Sequence, residues 1–422
     1  MPIHPSIIVL GWLLGLWCAG YLAYWSLALW FIRLANRSMP RIRAGLDVPQ
    51  PPGGWPSVSV IIPAHDEAQF IDHVLATLRQ SLYPSLEIII AADRCTDRTV
   101  EIVRRHIAET DQCAKAPALP GRGGECPTKL VEIAECPSGW SGKCHASWRG
   151  AQEASGEWLL FADADTTFHP DLIRAAMGLA IEHRLDFLSL LGTLTSSRSF
   201  ERRAQPVAAM TLMKMYPIHR ANRNDRPGRR PFANGQFMLF RRAVYDSIGT
   251  HERIRDAILE DLRFARRLDF LKHRMGLVLA DDLFKVRMYE TVEEFRRGWK
   301  RIFIEAANRN IPRLRGHVWR LRWLALGPFI QIAALIPGGL VVAADPPLGW
   351  SLIALSIVSM GVQVAALRKV YAMQGMSWSA LWRFPAGCVE TARVLREAIA
   401  DLCQQRGIEW ASLHYTVRSE AE

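Results

Sequence analysis

Two carboxylates close a run of apolar residues in this chain: Trp158-Leu-Leu-Phe-Ala162 ends directly in Asp163-Ala164-Asp165. The i, i+2 spacing in extended backbone points both acidic side chains the same way. Paired hard oxygen ligands at the carboxyl end of a buried strand suit a divalent cation, and a cation so placed suits a diphosphate. An Asp-x-Asp alone arises often by chance. Its position at a strand end, in a chain with long uncharged segments towards both termini, gives it weight. Further acidic clusters follow the same pattern at Ala64-His65-Asp66-Glu67 and at Asp93-Arg94-Cys95-Thr96-Asp97.

The elements that must position these residues alternate. Val58–Pro63, Leu86–Ala92, Lys129–Ala134 and Glu157–Ala162 read as short buried strands. Asp66–Gln80, Arg98–Ala108, Lys143–Ala154 and Asp171–His183 carry helical apolar spacing. Strands alternating with helices define an α/β fold with a mostly parallel sheet, which binds ligands at the carboxyl ends of its strands. There is no Gly-x-Gly-x-x-Gly, which argues against a dinucleotide site. Residues 111–127, rich in Pro, Gly and Cys, read as an irregular loop. The arginine-rich stretch His219–Arg230 reads as a loop that either closes over a diphosphate, rests on anionic headgroups or is merely solvated.

The net charge of +11 admits nucleic acid, an anionic membrane face or a phosphorylated substrate. Nucleic acid is set aside, because no zinc-finger spacing and no basic stretch interleaved with aromatics occurs. None of the eight cysteines forms Cys-x-x-Cys, so reduced thiols in a chain facing the cytosol are expected. Ile7–Ile32 is uncharged and long enough to cross a bilayer core of about 30 Å. Trp323–Ala344 and Leu348–Leu367 form a second apolar pair, broken by Asp345-Pro-Pro347. Arginines after the first span and outside the pair place the intervening domain in the cytoplasm by the positive-inside rule, at an inner (plasma) membrane. The expected organisation is a transmembrane helix in 1–32, a basic Pro/Gly linker in 33–57, a cytosolic domain in 58–310, a helix pair in 323–367 and a cytosolic tail in 368–422. Within the tail, Ser379–Leu402 is read as an interfacial amphipathic helix in preference to a third carboxyl-terminal span.

Several motifs resemble one family. Val58-Ser-Val-Ile-Ile-Pro-Ala-His-Asp-Glu67 is similar to the opening strand and turn of family 2 glycosyltransferases with the GT-A fold. Ala92–Asp97 resembles their Asp-Asp-x-Ser-x-Asp segment, with Ala92 and Cys95 as departures. Asp163-Ala-Asp165 resembles their metal-binding motif, and Ile258-Leu-Glu260-Asp261 their Glu-Asp motif, whose aspartate is the catalytic base. Gly139-Trp-Ser-Gly-Lys143, the run Asn234–Phe240 and the helix pair resemble a membrane-bound subgroup that includes hopene-associated and carotenoid-glycosylating transferases.

The resemblance implies an inverting transfer of a sugar from a nucleotide-diphosphate donor to a lipid or lipid-linked hydroxyl at the membrane. Asp163 and Asp165 would hold a divalent metal, Mg²⁺ or Mn²⁺. Glu67, Asp93, Asp163 and Lys143 would contact the donor. Asn234, Gly235, Gln236 and Glu260 would line the acceptor side, and Asp261 would take the acceptor proton. Each residue also has a plainer reading: strand-end caps for Asp163 and Asp165, a turn cap for Asp93, a first-turn helix charge for Glu67, a solvated pair for Glu260 and Asp261, a plain turn for Asn234–Gln236. Asp97 is read as structural and His65 as a loop residue. A processive polysaccharide synthase of the same fold is the nearest rival. The Gln-x-x-Arg-Trp such enzymes carry is replaced here by Glu294-Phe-Arg-Arg-Gly-Trp299. A non-catalytic nucleotide-binding membrane protein is the other.

Overall fold

Apolar runs of five to eight residues, bounded by proline, glycine and acidic residues, fold as the strands of a seven-stranded sheet in this computed structural model. The structure describes residues 5–114, 126–194, 198–216, 218–224, 228–257, 259–287, 289–342, 345–404, 408–410 and 413–415. Most of the loop expected at 111–127, part of the arginine-rich stretch and Ile258 lie outside the described residues.

In chain order the elements begin with α1 (Pro5–Ser38), β1 (Val58–Ala64), α2 (Ile71–Leu78), β2 (Leu86–Asp93), α3 (Thr99–Ala114), β3 (Thr128–Ile133), α4 (Gly142–Gln152) and β4 (Trp158–Ala162). There follow β5 (Thr166–Phe168), α5 (Leu172–Glu182), β6 (Phe187–Leu191), β7 (Thr193–Leu194), α6 (Ser199–Met215), β8 (Phe237–Arg241), α7 (Arg242–Ser247), α8 (Glu260–Phe270), β9 (Met275–Leu279) and β10 (Phe284–Val286). The remainder comprises α9 (Val292–Ala306), α10 (Ile311–Val342), α11 (Pro346–Met373), α12 (Phe384–Cys403), β11 (Ile408–Trp410) and β12 (Leu413–Tyr415).

The chain forms two compact units. One comprises residues 38–195 and 217–288 and holds the large sheet, in the order β3-β2-β1-β4-β8-β6-β9. β8 runs antiparallel to both β4 and β6, and the other pairs are parallel. Being covered on both faces, β1, β2 and β4 read as continuous apolar runs rather than alternating ones. A smaller sheet, β5-β10-β7, adjoins the end of β4. α2 starts later than its apolar spacing suggests. Asp66 sits at φ 55°, and its carboxylate accepts the backbone N–H groups of Thr96 and Asp97, so the chain turns before it coils. Within the expected linker, a 3₁₀ turn at Ile42–Leu46 packs on α5. The Gly45 and Gly178 backbones meet so closely that a Cβ on Gly178 would lie 2.2 Å from Gly45 O.

The edge strand β9 is covered by two asparagines from the arginine-rich stretch. Asn222 exchanges hydrogen bonds with both the N–H (2.6 Å) and C=O (2.8 Å) of Leu277, and Asn224 does the same with Met275 at 2.9 and 3.0 Å. The side-chain amides act as two extra rungs, which blunts an edge that would otherwise offer itself to another chain. Arg229 is tied to Asp269 at 3.1 Å and to the carbonyls of Ala221 and His273. The described part of this stretch is therefore fastened to the sheet.

The other unit comprises residues 1–37, 196–216 and 289–422. α6 and α9, which fall inside the expected cytosolic range, pack here. Their apolar faces (Phe200, Ala204, Val207, Ala208 and Phe295, Trp299, Phe303) share a core with α12. α1, α10 and α11 are each long and apolar enough to cross a membrane. α10 continues through Pro328 and Pro337, and Asp345 caps α11 by accepting the Leu348 N–H at 3.1 Å. Ser379–Leu402 divides into a 3₁₀ turn, Trp378–Arg383, and α12. Two of the charges that made a span costly are paired with α9, Glu390 with Arg296 at 2.6 Å and Asp401 with Lys300, and Arg393 pairs with Glu397 within α12.

Candidate active site

Topology gathers the acidic residues. β1, β2 and β4 are parallel, so Glu67, Asp93, Asp163 and Asp165 leave the sheet at one edge. Because β8 is antiparallel to β4, with Phe237 opposite Ala162, the Asn234–Gln236 loop enters at that same edge. α4 and α8 both begin there, presenting Gly142 and Lys143, and Glu260 and Asp261, in their first turns.

Lys143 ties the pieces together. Its Nζ lies 2.7 Å from Asp163 Oδ1 and 2.6 Å from Glu260 Oε1. Burial alone would push the ammonium down, and a cation in the first turn opposes the helix dipole. The two carboxylates outweigh this and hold it above the ordinary lysine range. Glu260 is held below the ordinary carboxylate range in return: burial opposes its charge, and Lys143 overcomes that. Asp261 has no such cation of its own. Burial, then the charge of Glu260, raises it to about 7. Its Oδ2 accepts the Gly235 N–H at 2.9 Å, and its Oδ1 accepts the Leu262 N–H at 2.7 Å. A Cβ at 235 would stand 2.9 Å from Glu260 Oε1 and 3.4 Å from both Asp261 Oδ2 and Lys143 Nζ, so any larger residue there must push the Glu260 carboxylate aside.

Asp93 is 2 % exposed and is held by Arg94, through Nε at 3.0 Å and Nη2 at 2.6 Å. His65 Nδ1 stands 2.6 Å from the Asp93 carbonyl, a loop role. A Cβ on Gly142 would come within 2.9 Å of Asp93 Oδ2. The start of α4 thus touches Asp93 with one residue and Asp163 with the next. Glu67 donates its N–H to Thr99 Oγ1 at 2.8 Å, and its carboxyl is raised to about 7 by burial, then by Asp163. Asp97 accepts the N–H groups of Ala68 and Thr99, the structural part expected of it.

Asp165 is raised well above the ordinary range by burial, then by Asp163 and Glu67. Its Oδ1 is buried without a hydrogen-bond partner, while its carbonyl is fixed by the Arg287 N–H at 3.0 Å. Asp165 Oδ1 is thus a buried, unsatisfied acceptor with the Asp163 and Glu67 charges beside it, an environment that suits a cation, although the three ligand-type side chains that converge among the described residues are Asp66, Cys95 and Asp97.

The Asn234 and Gln236 side chains serve the loop itself. Asn234 Nδ2 donates to Leu190 O at 2.9 Å and to Gln236 Oε1 at 3.0 Å. Gly235, through its backbone, is what reaches Asp261. Sequence reasoning missed His251 and Tyr245 behind the site. Tyr245 Oη is 2.7 Å from His251 Nδ1, and the His251 ring packs 4.7 Å from Phe161 and 4.8 Å from Phe264. Burial pushes that imidazole down to about 3, so it is neutral packing between β4 and α8. A lone histidine in a short turn carries no periodic signal that would have found it.

Residues 59–249 match the model of the family described as Glycosyl transferase family 2. The matched residues, fewer than half of the chain, are thus similar to that family, and they lie in the α/β sheet described above. Glu260 and Asp261 lie beyond the matched residues. The chain is similar to the 4,4'-diaponeurosporenoate glycosyltransferase of Staphylococcus aureus (strain bovine RF122 / ET3-1), with 29% identity over 113 residues. That match spans 26% of this chain and only about a quarter (24%) of the relative. Among solved structures, the mannosyltransferase PcManGT from Pyrobaculum calidifontis, in complex with GDP-Man and Mn²⁺, is 18% identical, with 92% of this chain and 99% of that chain covered and a TM-score of 0.47. S. aureus TarS 1–349 in complex with UDP is 20% identical, with 74% and 90% covered and a TM-score of 0.39.

Proposed function

We propose that the protein is a membrane-bound inverting glycosyltransferase that moves a sugar from a nucleoside diphosphate donor to the hydroxyl of a lipid or lipid-linked acceptor. The observation that carries this reading is the Lys143 bridge, which sets Asp163 and Glu260 on one ammonium and so brings the Asp-x-Asp carboxylates beside Asp261. Asp163 and Asp165 would hold Mg²⁺ or Mn²⁺, whose chemistry there is to neutralise charge on a diphosphate. Lys143 adds fixed positive charge at the same place. Asp93 and Glu67 are assigned to the donor side, and the Asn234–Gln236 loop with Glu260 to the acceptor side.

Asp261 removes the acceptor proton. Its carboxylate takes the hydrogen of the acceptor O–H as that oxygen bonds to the anomeric carbon. The bond from that carbon to the diphosphate breaks, and the nucleoside diphosphate leaves with the electron pair. One displacement inverts the anomeric centre. A base raised to about 7 is matched to this task near neutral pH. α1, α10 and α11 are read as spans that keep the catalytic domain on the cytoplasmic side of an inner membrane, where confinement raises the effective concentration of a lipid acceptor.

The full chain, purified in detergent with mixed lipids, is to be screened by calorimetry and by nucleotide release against nucleotide sugars, with and without Mn²⁺. Metal-dependent transfer of a single sugar to the lipid fraction is the expected result. Tight nucleotide binding without turnover on any donor would make it a binding protein, and a long product in a size assay would make it a polymerase.

A further inference from the structure

We propose that Lys214, Arg313, His317 and Arg320 form a site for the phosphate of an anionic lipid headgroup, at the start of α10. The inference rests on the membrane reading above. Arg313, His317 and Arg320 are spaced i, i+4, i+7 and share one face of the helix. Two hydrogen bonds fix that face against α6: Arg313 Nη2 donates to Met215 O at 2.8 Å, and Arg320 Nη2 donates to Thr211 Oγ1 at 3.3 Å. Lys214 stands between those two anchors on α6. Arg313 and Arg320 are thus held by backbone and hydroxyl acceptors, not by an acid, and the charges of Arg320, Arg313 and Lys214 all act on His317.

Among the described residues none of the four lies within 4 Å of a carboxylate. Elsewhere in the same unit, basic groups have acidic partners: Arg198 with Glu290, Arg296 with Glu390, Lys300 with Asp401 and Arg309 with Glu305. Arg320 Nε and His317 Nδ1 are buried with no hydrogen-bond partner. Unbalanced charge with unsatisfied donor positions calls for an anion with several acceptor oxygens, and guanidinium forks match phosphate.

The surroundings select a lipid over a soluble phosphate. Trp319, stacked by the Arg322 guanidinium at 5.2 Å, is 68% exposed, as suits an indole at headgroup level. Leu326 and Phe329 continue along α10 as exposed apolar surface where acyl chains would lie. Lys214 and Arg313 are themselves exposed and open to a headgroup.

The test uses the full chain in detergent, with bound lipid counted by native mass spectrometry after exchange into equal phosphatidylglycerol and phosphatidylcholine. The wild type should retain phosphatidylglycerol preferentially. Lys214→Gln/Arg313→Gln should lose about tenfold or more of that preference, and Lys214→Gln alone about fivefold, at roughly one basic group's surface contribution. Arg315→Gln, which changes net charge on the same turn, should keep it. Should the double variant fail to fold, Lys214→Gln decides, since no described contact depends on that ammonium. Equal retention of the two lipids by the wild type, or unchanged preference in Lys214→Gln, overturns the site. Displacement of the lipid by millimolar inorganic phosphate overturns the choice of lipid. Carbonate extraction of membranes separates this from the parent reading: a chain that leaves the membrane without detergent sinks the membrane assignment, whereas a retained chain with no lipid preference sinks only this site.

Discussion

The Gly235 N–H donates to Asp261 Oδ2 at 2.9 Å, so a backbone group on the loop before β8 fixes the carboxylate at the start of α8. The Asp261 carboxylate is held by a backbone N–H that any substitution short of proline leaves in place, and the loop comes close because it lacks a Cβ there. In Gly235→Ala the new methyl must displace the Glu260 carboxylate from its ion pair. The expected loss in kcat is roughly 10- to 100-fold, following from misplaced reacting groups. The melting temperature should fall by no more than about 4 °C, for a cost near 1 kcal/mol. Steady-state transfer assays with circular dichroism melts measure both; wild-type kcat would show that the close approach of Gly235 to Glu260 does not position the reacting groups.

As the proposed base, Asp261 should give transfer its pH dependence. The base works deprotonated, so kcat/KM should rise as pH passes upward through about 7 and level off above it. Asp261→Asn should lose about 10²- to 10⁴-fold and flatten that limb, with donor binding kept. A pH–rate profile in which the rise persists in the variant would assign the titration to another group, Glu67 being the next candidate at about 7.

Three buried carboxyls, Glu67 and Asp165 near Asp163 and Asp261 near Glu260, cost stability. Glu67, Asp165 and Asp261 titrate above their unfolded values, so the folded state binds more protons than the unfolded one between about 4 and about 7. That contribution is present at low pH and is lost as pH rises through about 7. The metal-free protein should therefore melt higher at pH 6 than at pH 8, and Mn²⁺ should restore the difference at pH 8. Asp165→Asn should raise the metal-free melting temperature, by a gain on the order of 1 kcal/mol, abolish the Mn²⁺ increment and stop transfer. A fall in the metal-free melting temperature of Asp165→Asn would contradict the crowding.

Removing Lys143 exposes what it holds. Lys143→Met leaves the buried Glu260 and the part-exposed Asp163 without their cation, and about 3 kcal/mol of destabilisation is expected, most of it from Glu260. Adding Glu260→Gln should recover part of that loss, because the second charge no longer needs neutralising. Urea titrations of both singles and the double variant form the cycle; additive losses would mean the pair is not coupled.

Local pattern made much of this readable. β1, β2 and β4 announced themselves because a strand covered on both faces has no polar positions, and the Asp-x-Asp could be placed because it ends such a run. The apolar parts of α1, α10 and α11 followed from uncharged length, whereas the charged stretch from Ile311 that opens α10 did not. Boundaries slipped where side chains from elsewhere intervened: α2 begins at Ile71, after Asp66 has bound the N–H groups of Thr96 and Asp97. Asn222 and Asn224 looked like loop residues beside arginines, and their work as rungs on β9 depends on an edge that no local pattern reveals.

The sequence by itself determined which residues could do the chemistry and which segments are buried strands or apolar helices, since residue type and period act over a few positions. Tertiary structure alone decided that Lys143 bridges Asp163 to Glu260, that Gly235 grips Asp261, and that α6 and α9 pack with the apolar helices. Those outcomes depend on β8 running antiparallel to β4 and on which faces meet. Pairings of that kind join residues far apart in the chain, whose proximity is set by the topology of the whole sheet and not by any neighbour in sequence.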